Sequence, residues 1–282
     1  MFELSKRYRH GLIVGAVAAF TLCAIAVYSN AGQLQPPPGP VQPTGPTPIT
    51  SLPYTITQSG SYILTGNLIG SSGQDGVIIQ SSNVTIDLNG FTLQGVAGAR
   101  SGITVPVGGF GLTEYTGVVI KNGSIVGWPA AGIQLSKSDP FFSDEIKVSH
   151  SRIESIYVFG PSSRGIENGL GRGNVYLVCN VTNISDNGLW TGPEAIVDRC
   201  TVTSCLNGIV AGNSLVTRCV VSSCTLIGIS NGLGTTECSY SSSNGSYGFS
   251  VGMGLLRGCT AKWNSIAAVQ STGTTVLIDN NF

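Results

Sequence analysis

A chain of 282 residues with 41% hydrophobic and only 10% charged side chains lacks the Glu, Lys and Ala that long solvated helices need. Its 39 glycines, set among many Ser, Thr, Asn, Val and Ile, point instead to short strands joined by tight turns. The formal net charge is zero, which excludes nucleic acid as a partner and excludes the cationic patch that anionic membranes attract.

In chain order, Lys6-Arg7-Tyr8-Arg9 is a basic start, Gly11 to Val27 is an apolar run of 17 residues, and Ser29-Asn30-Ala31 supplies small residues. The pattern predicts a signal peptide over 1–31 with cleavage after Ala31, and so a secreted, periplasmic or cell-surface protein. An uncleaved membrane anchor is the competing reading, because such a run stands at the short limit for spanning a bilayer. Cleavage would remove three basic groups and one acidic group, leave a net charge of −2, and leave no membrane segment. Residues 32–53 carry Pro36, Pro37, Pro38, Pro40, Pro43, Pro46, Pro48 and Pro53. Proline this dense favours polyproline II, so the segment reads as a semi-rigid linker. The domain itself is then expected over 54–282, with Tyr54 to Leu68 capping its first open coil.

From residue 84 onward the chain repeats. Gly188-Leu189, Gly208-Ile209, Gly228-Ile229, Gly248-Phe249 and Ala268-Val269 recur every 20 residues. Upstream of them lie Cys179, Cys200, Cys219, Cys238 and Cys259, each followed two residues later by Val181, Val202, Val221, Tyr240 and Ala261. The alternation around each cysteine is that of a strand with one buried face. A unit this short cannot bury that face alone, so successive units must wind into a coil whose equivalent strands pair in parallel. The glycine before each Leu, Ile or Phe fits a turn needing positive φ. Longer units precede these, with Gly102-Ile103, Gly132-Ile133 and Gly165-Ile166 repeating the signature. Starts near 84, 118, 146, 175, 196, 215, 235, 255 and 275 predict about nine coils, with insertions near 106–116, 136–145 and 159–174. The expected fold is therefore all-β, a right-handed parallel β-helix. Thr275 to Ile278 closes it without a polar cap, so self-association through the edge of the last coil is expected.

The segments Gly60-Ser-Tyr-Ile-Leu-Thr-Gly66-Asn and Asn83-Val-Thr-Ile-Asp-Leu-Asn-Gly-Phe-Thr-Leu93, with the repeated Cys-x-Val and Gly-Ile steps, resemble the secreted bacterial parallel β-helix repeat proteins of the pectate-lyase-like superfamily. The resemblance covers about 54–282. It implies the fold and leaves activity open, since such proteins include pectate lyases, polygalacturonases, epimerases and phage tailspikes. The polygalacturonase-like Asn-Thr-Asp and Gly-His-Gly segments are absent, as is a lyase-like Arg-x-Pro-x-x-Arg. The epimerase-like Asp-Pro-His is not met either, because Asp139-Pro140 is followed by Phe141.

Seven cysteines follow the leader. Stacked in neighbouring coils, Cys200 and Cys219, or Cys205 and Cys224, would come within reach of a disulfide. A ladder of buried free thiols is the other reading, favoured by Ile184, Ser243 and Asn264 in the second cysteine column. No metal site or cofactor is expected from these spacings.

Chemistry-bearing residues gather between Trp128 and Arg172. Glu154, Glu167 and His150 are the candidates for acid–base work. Trp128, Asp139, Asp144, Glu145, Arg152, Tyr157 and Arg164 are candidates for holding a polysaccharide or cell-wall glycan, helped by Phe141 and Phe142. The bland reading of the same region is a charged outer face with apolar staples under long loops. Two functions remain open: a non-catalytic envelope protein that is structural or glycan-binding, and a polysaccharide lyase or glycoside hydrolase working at the long-loop face. Arg199, Arg218 and Arg257 read as a solvated basic stripe.

Overall fold

The computed structural model describes residues 45–106, 112–139 and 144–282. The expected signal peptide, most of the expected linker, and Phe141 and Phe142 lie outside the described residues. The rest is strand and turn, with no helix among the described residues. Three parallel sheets run the length of this body, and each coil contributes one strand to each sheet in turn. That arrangement is the parallel β-helix, right-handed as crossovers between parallel strands are.

The core is built from in-register ladders, as the period of 20 requires. On the first sheet Tyr62, Ile86, Ile120, Ile153, Tyr176, Val197, Val216, Thr236, Leu256 and Leu277 stack one above the next. On the second, Leu93, Ile125, Val158, Val181, Val202 and Val221 do the same. On the third, Val77, Ile103, Ile133, Ile166, Leu189, Ile209, Ile229 and Phe249 follow suit. Most of these side chains are fully buried, each contributing about 1.5–3 kcal/mol over an exposed position. The first-sheet strand Val276–Ile278 is exposed.

Several expectations shift. The body begins before the expected start at Tyr54, because Thr47–Ile49 pairs with 62–64 and Ile49 is fully buried. Pro48 is tolerated there, since an edge strand loses nothing by a missing N–H. Tyr54 to Leu68 is not a cap: its strands pair in the ladders of all three sheets. The nine expected starts are thus preceded by two more, at Thr47 and Gly60.

The start expected near 146 lies at Arg152, opposite Val119. Ile146 belongs to a separate lateral sheet, in which Asp144–Ser149 runs parallel to Leu112–Thr116 and antiparallel to Ser136–Asp139. Two expected insertions thus stack on each other. The third, near 159–174, is mostly strand, Arg152–Ser162 and Arg164–Asn168.

The Gly-Ile glycines do not have positive φ. They are small because the neighbouring coil fills their space: a Cβ on Gly208 would lie 2.3 Å from Val221 Cγ1 and 2.4 Å from the Gly228 carbonyl oxygen. Left-handed backbone falls instead at the corners: between the first and second sheets at Asn122, Ser155, Val178, Arg199, Arg218 and Cys238, with φ between 48° and 59°, and between the second and third at Asn183, Ser204, Ser223 and Ser243. Cys238 is therefore a corner residue and exposed, while Ser239 takes the ladder position and accepts a hydrogen bond from the Cys219 amide. A slip of one residue moves every side chain in a strand to the other face. Ser241 and Asn244 accordingly replace Tyr240 and Ser243 in the buried columns.

Candidate functional site

The structure distributes the sequence candidates over five places. Trp128 is in the core: its Nε1 donates to the Leu93 carbonyl at 3.0 Å, and its ring fills the space that Cβ atoms on Gly70 and Gly76 would need. The side chain expected on the surface is thus buried, because those two glycines leave its ring room inside the coil. Glu145 pairs with Lys147 at 3.6 Å on the lateral sheet. Asp139 and Asp144 sit opposite each other across the antiparallel pair, and their side chains lie outside the described residues.

His150 occupies the corner leading into the first sheet, with φ 53° and its amide donating to the Arg172 carbonyl at 2.8 Å. Glu154 points outward from the first sheet, where Arg152 donates to its Oε2 at 2.7 Å. Glu167 points outward from the third sheet and is almost fully buried. No hydrogen bond joins any two of these three among the described residues, so the fold does not assemble them into one acid–base centre.

Around Glu167 a polar chain crosses successive coils. Ser101 Oγ donates to Gln134 Oε1 at 3.3 Å, and Gln134 Nε2 donates to Glu167 Oε2 at 3.0 Å. Arg164 meets the same oxygen at 2.7 Å, reaches Asp186 at 3.8 Å, and lies 5.7 Å over the Trp190 ring. Lys137 approaches from the lateral sheet; burial lowers its pKa, opposed by the charges of Asp75 and Glu167. Oε2 of Glu167 is held by both Gln134 and Arg164, from two coils, so the cluster reads first as a lock between coils.

A shallow open groove of about 460 Å³ runs along the corner between the first and second sheets. Its lining comes from four successive coils: Gly90, then Asn122 to Ser124, then Ser155 to Tyr157, then Val178 and Asn180. The left-handed corners at Asn122, Ser155 and Val178 bend each coil outward here, and the aligned outward positions Ser124, Tyr157 and Asn180 form the adjoining floor. Tyr157 stacks on Phe159 with ring centroids 6.3 Å apart and planes 17° apart, and each ring is 37% exposed. Of the sequence candidates only Tyr157 lines this groove. The sequence offers Asn122 and Asn180 only as Asn-x-Ser/Thr sites expected at turns, and Ser155 carries no signal of its own; the corner shows in the sequence one residue before Cys179, Cys200 and Cys219, at Val178, Arg199 and Arg218.

The basic stripe is neutralised. Arg199 and Arg218 both hold the nearly buried Asp198, at 3.0 and 2.7 Å, and Arg257 pairs with Glu237. No group of three or more metal-ligating side chains converges among the described residues.

No family model and no curated relative matches the chain. Among solved structures it is similar to the ORF18 protein of a Geobacillus virus, at 10% identity and a TM-score of 0.54, over 84% of this chain and 52% of that one. It is also similar to the catalytic domain of a GH87 α-1,3-glucanase in complex with nigerose, at 10% identity and 0.37, over 83% and 64%. A third is PfbA, a surface adhesin of Streptococcus pneumoniae, at 9% and 0.36, over 83% and 80%. The chain spans about half the length of the virus protein and under two thirds of the glucanase domain. At such identities the likeness establishes the class, a parallel β-helix protein, and nothing finer.

Proposed function

We propose that this is an exported, non-catalytic β-helix protein that binds glycan on its surface, with the ligand in the groove beside Tyr157. Export rests on the leader-like residues 1–31. The observation that carries the binding reading is the groove, where an exposed aromatic pair adjoins the amides of Asn122 and Asn180 and the hydroxyls of Ser124 and Ser155. An apolar ring face with a few convergent polar groups suits the C–H faces and hydroxyls of a sugar. A glycan array probed with the purified protein should give binding that Tyr157→Ala weakens by about tenfold, the effect of about 1.4 kcal/mol, without changing the melting temperature. Indifference to that substitution would remove the groove from the reading, and turnover of a bound polysaccharide would remove the word non-catalytic.

One observation favours a second reading as a glycoside hydrolase or polysaccharide lyase: Glu167 and Asp186 reach the same guanidinium, beside Trp190. His150 and Glu154 stand elsewhere, so this reading rests on Glu167 with Asp186. Reducing-sugar release that is abolished by Glu167→Gln together with Asp186→Asn would establish it.

A further inference from the structure

We propose that the third-sheet face between Leu226 and Gly273 is a lipid-docking surface, which lays the protein on a neutral phospholipid bilayer. The surface is separate from the groove beside Tyr157, which lies at another corner of the coil.

The face has no charge. Its three coils contribute the segments 223–235, 243–255 and 263–275, and these contain no Asp, Glu, Lys or Arg. Preceding coils differ, since the same side there carries Arg164, Glu167 and Asp186. Two rails of large apolar side chains flank the strands. Leu226, Trp263 and Ile266 stand where the second sheet turns into the third, Leu233 and Met253 where the third turns into the first. All five are between 43% and 78% exposed. Between the rails Ser230, Ser250 and Gln270 are outward register partners.

Trp263 is the sharpest sign. Its backbone is left-handed, with φ 56°, at a corner where earlier coils place Asn183, Ser204, Ser223 and Ser243. Such backbone is unfavourable for a bulky residue, and the core gains nothing from an indole that is 78% exposed. A tryptophan beside Lys262 suits the headgroup level of a bilayer, with the ring among the upper acyl chains and the ammonium among phosphates.

Size decides the occupant. The strands and their corners span about 20 Å and three coils rise about 14 Å, so the face offers about 300 Å². A stable contact with a second copy or another protein takes about 800 Å² from each partner. A bilayer needs no such area, because each side chain entering it gains transfer energy separately and no complementary shape is required. The lack of charge favours a zwitterionic headgroup over an anionic one.

The test is tryptophan fluorescence of the full chain with phosphatidylcholine vesicles, plain and with brominated acyl chains. Residues 1–31 hold no tryptophan, so a leader-like segment entering the vesicle does not itself give the signal. Emission should move to shorter wavelength and be quenched by the brominated lipid, and Trp263→Phe should abolish both effects. Met253→Ser together with Ile266→Ser should reduce the quenching about threefold or more, at an unchanged melting temperature. Raising the salt from about 0.05 to 0.5 M should leave the quenching in place. Emission that vesicles do not alter, or quenching that persists in Trp263→Phe, would overturn the proposal. So would quenching that salt abolishes. A dimer in vesicle-free sedimentation that Trp263→Ser dissociates would also overturn it, and would give the face to a second copy.

Discussion

Cγ1 of Val202 stands 2.4 Å from the point where a Cβ on Gly188 would lie. The two residues belong to different coils and different sheets, so the missing side chain of one is the packing space of the other. Gly165 with Val181 and Gly208 with Val221 repeat the relationship at 2.5 and 2.3 Å. Gly188→Ala should therefore destabilise by about 2–3 kcal/mol through overpacking. Val202→Ala removes the obstructing methyls, so the double variant should cost clearly less than the sum of the two single variants, as urea unfolding would read it. Strict additivity would mean that crowding is not why glycine stands there.

Val178 is a β-branched, half-exposed residue at a left-handed corner, with φ 54°. Such backbone costs about 1–2 kcal/mol for a residue with a branched Cβ. Val178→Asn should raise the unfolding free energy by about 1 kcal/mol, and Asn122→Val should lower it by a similar amount. Thermal melts of the pair, moving in opposite directions, are the measurement.

Asp198 serves two guanidinium groups, one from its own coil and one from the next. Asp198→Ala leaves both cations without a carboxylate and should cost about 1–3 kcal/mol. Arg218→Ala should cost under about 1 kcal/mol, because Arg218 is more than half exposed and Arg199 remains on the carboxylate. Double-mutant cycles in urea would separate the two contributions.

The described body holds seven free cysteines, six buried and one, Cys238, exposed. Hydrogen bonding to Cys200 and then burial push the Cys219 thiol up, burial does the same for Cys259, and burial pushes the Tyr176 phenol up. A raised acid favours the folded state while protonated. Its contribution is whole below the ordinary thiol value of 9.0 and is lost as pH climbs above it toward the raised folded value. Stability should be level from neutral pH to about 8 and should decline beyond 9. Among these seven, native alkylation at pH 8 should label Cys238 alone, Cys238→Ser should abolish that label, and denaturant should expose the rest; mass spectrometry counts them.

The parallel β-helix was legible because its cause is one-dimensional. A buried side chain recurs wherever a coil returns to the same face, and Val181, Val202 and Val221 or Leu189, Ile209 and Ile229 declare that return without reference to anything distant. The groove was not legible. Asn122, Ser155 and Asn180 come from three coils and share a wall only once the coils are stacked, while the charged residues that draw the eye, Glu154 and Glu167, face outward from different sheets.

What the amino-acid order determined by itself is the ladder, since period and burial fix which faces meet. What only the tertiary structure decided is register and corner. It placed Ser239 rather than Cys238 inside, Trp128 in the core, and Arg152 rather than Ile146 at the head of its coil. The physical reason is that strand alternation reads the same after a shift of two residues, and a shift of one merely exchanges the two faces. Contacts with the neighbouring coils are what select among those readings.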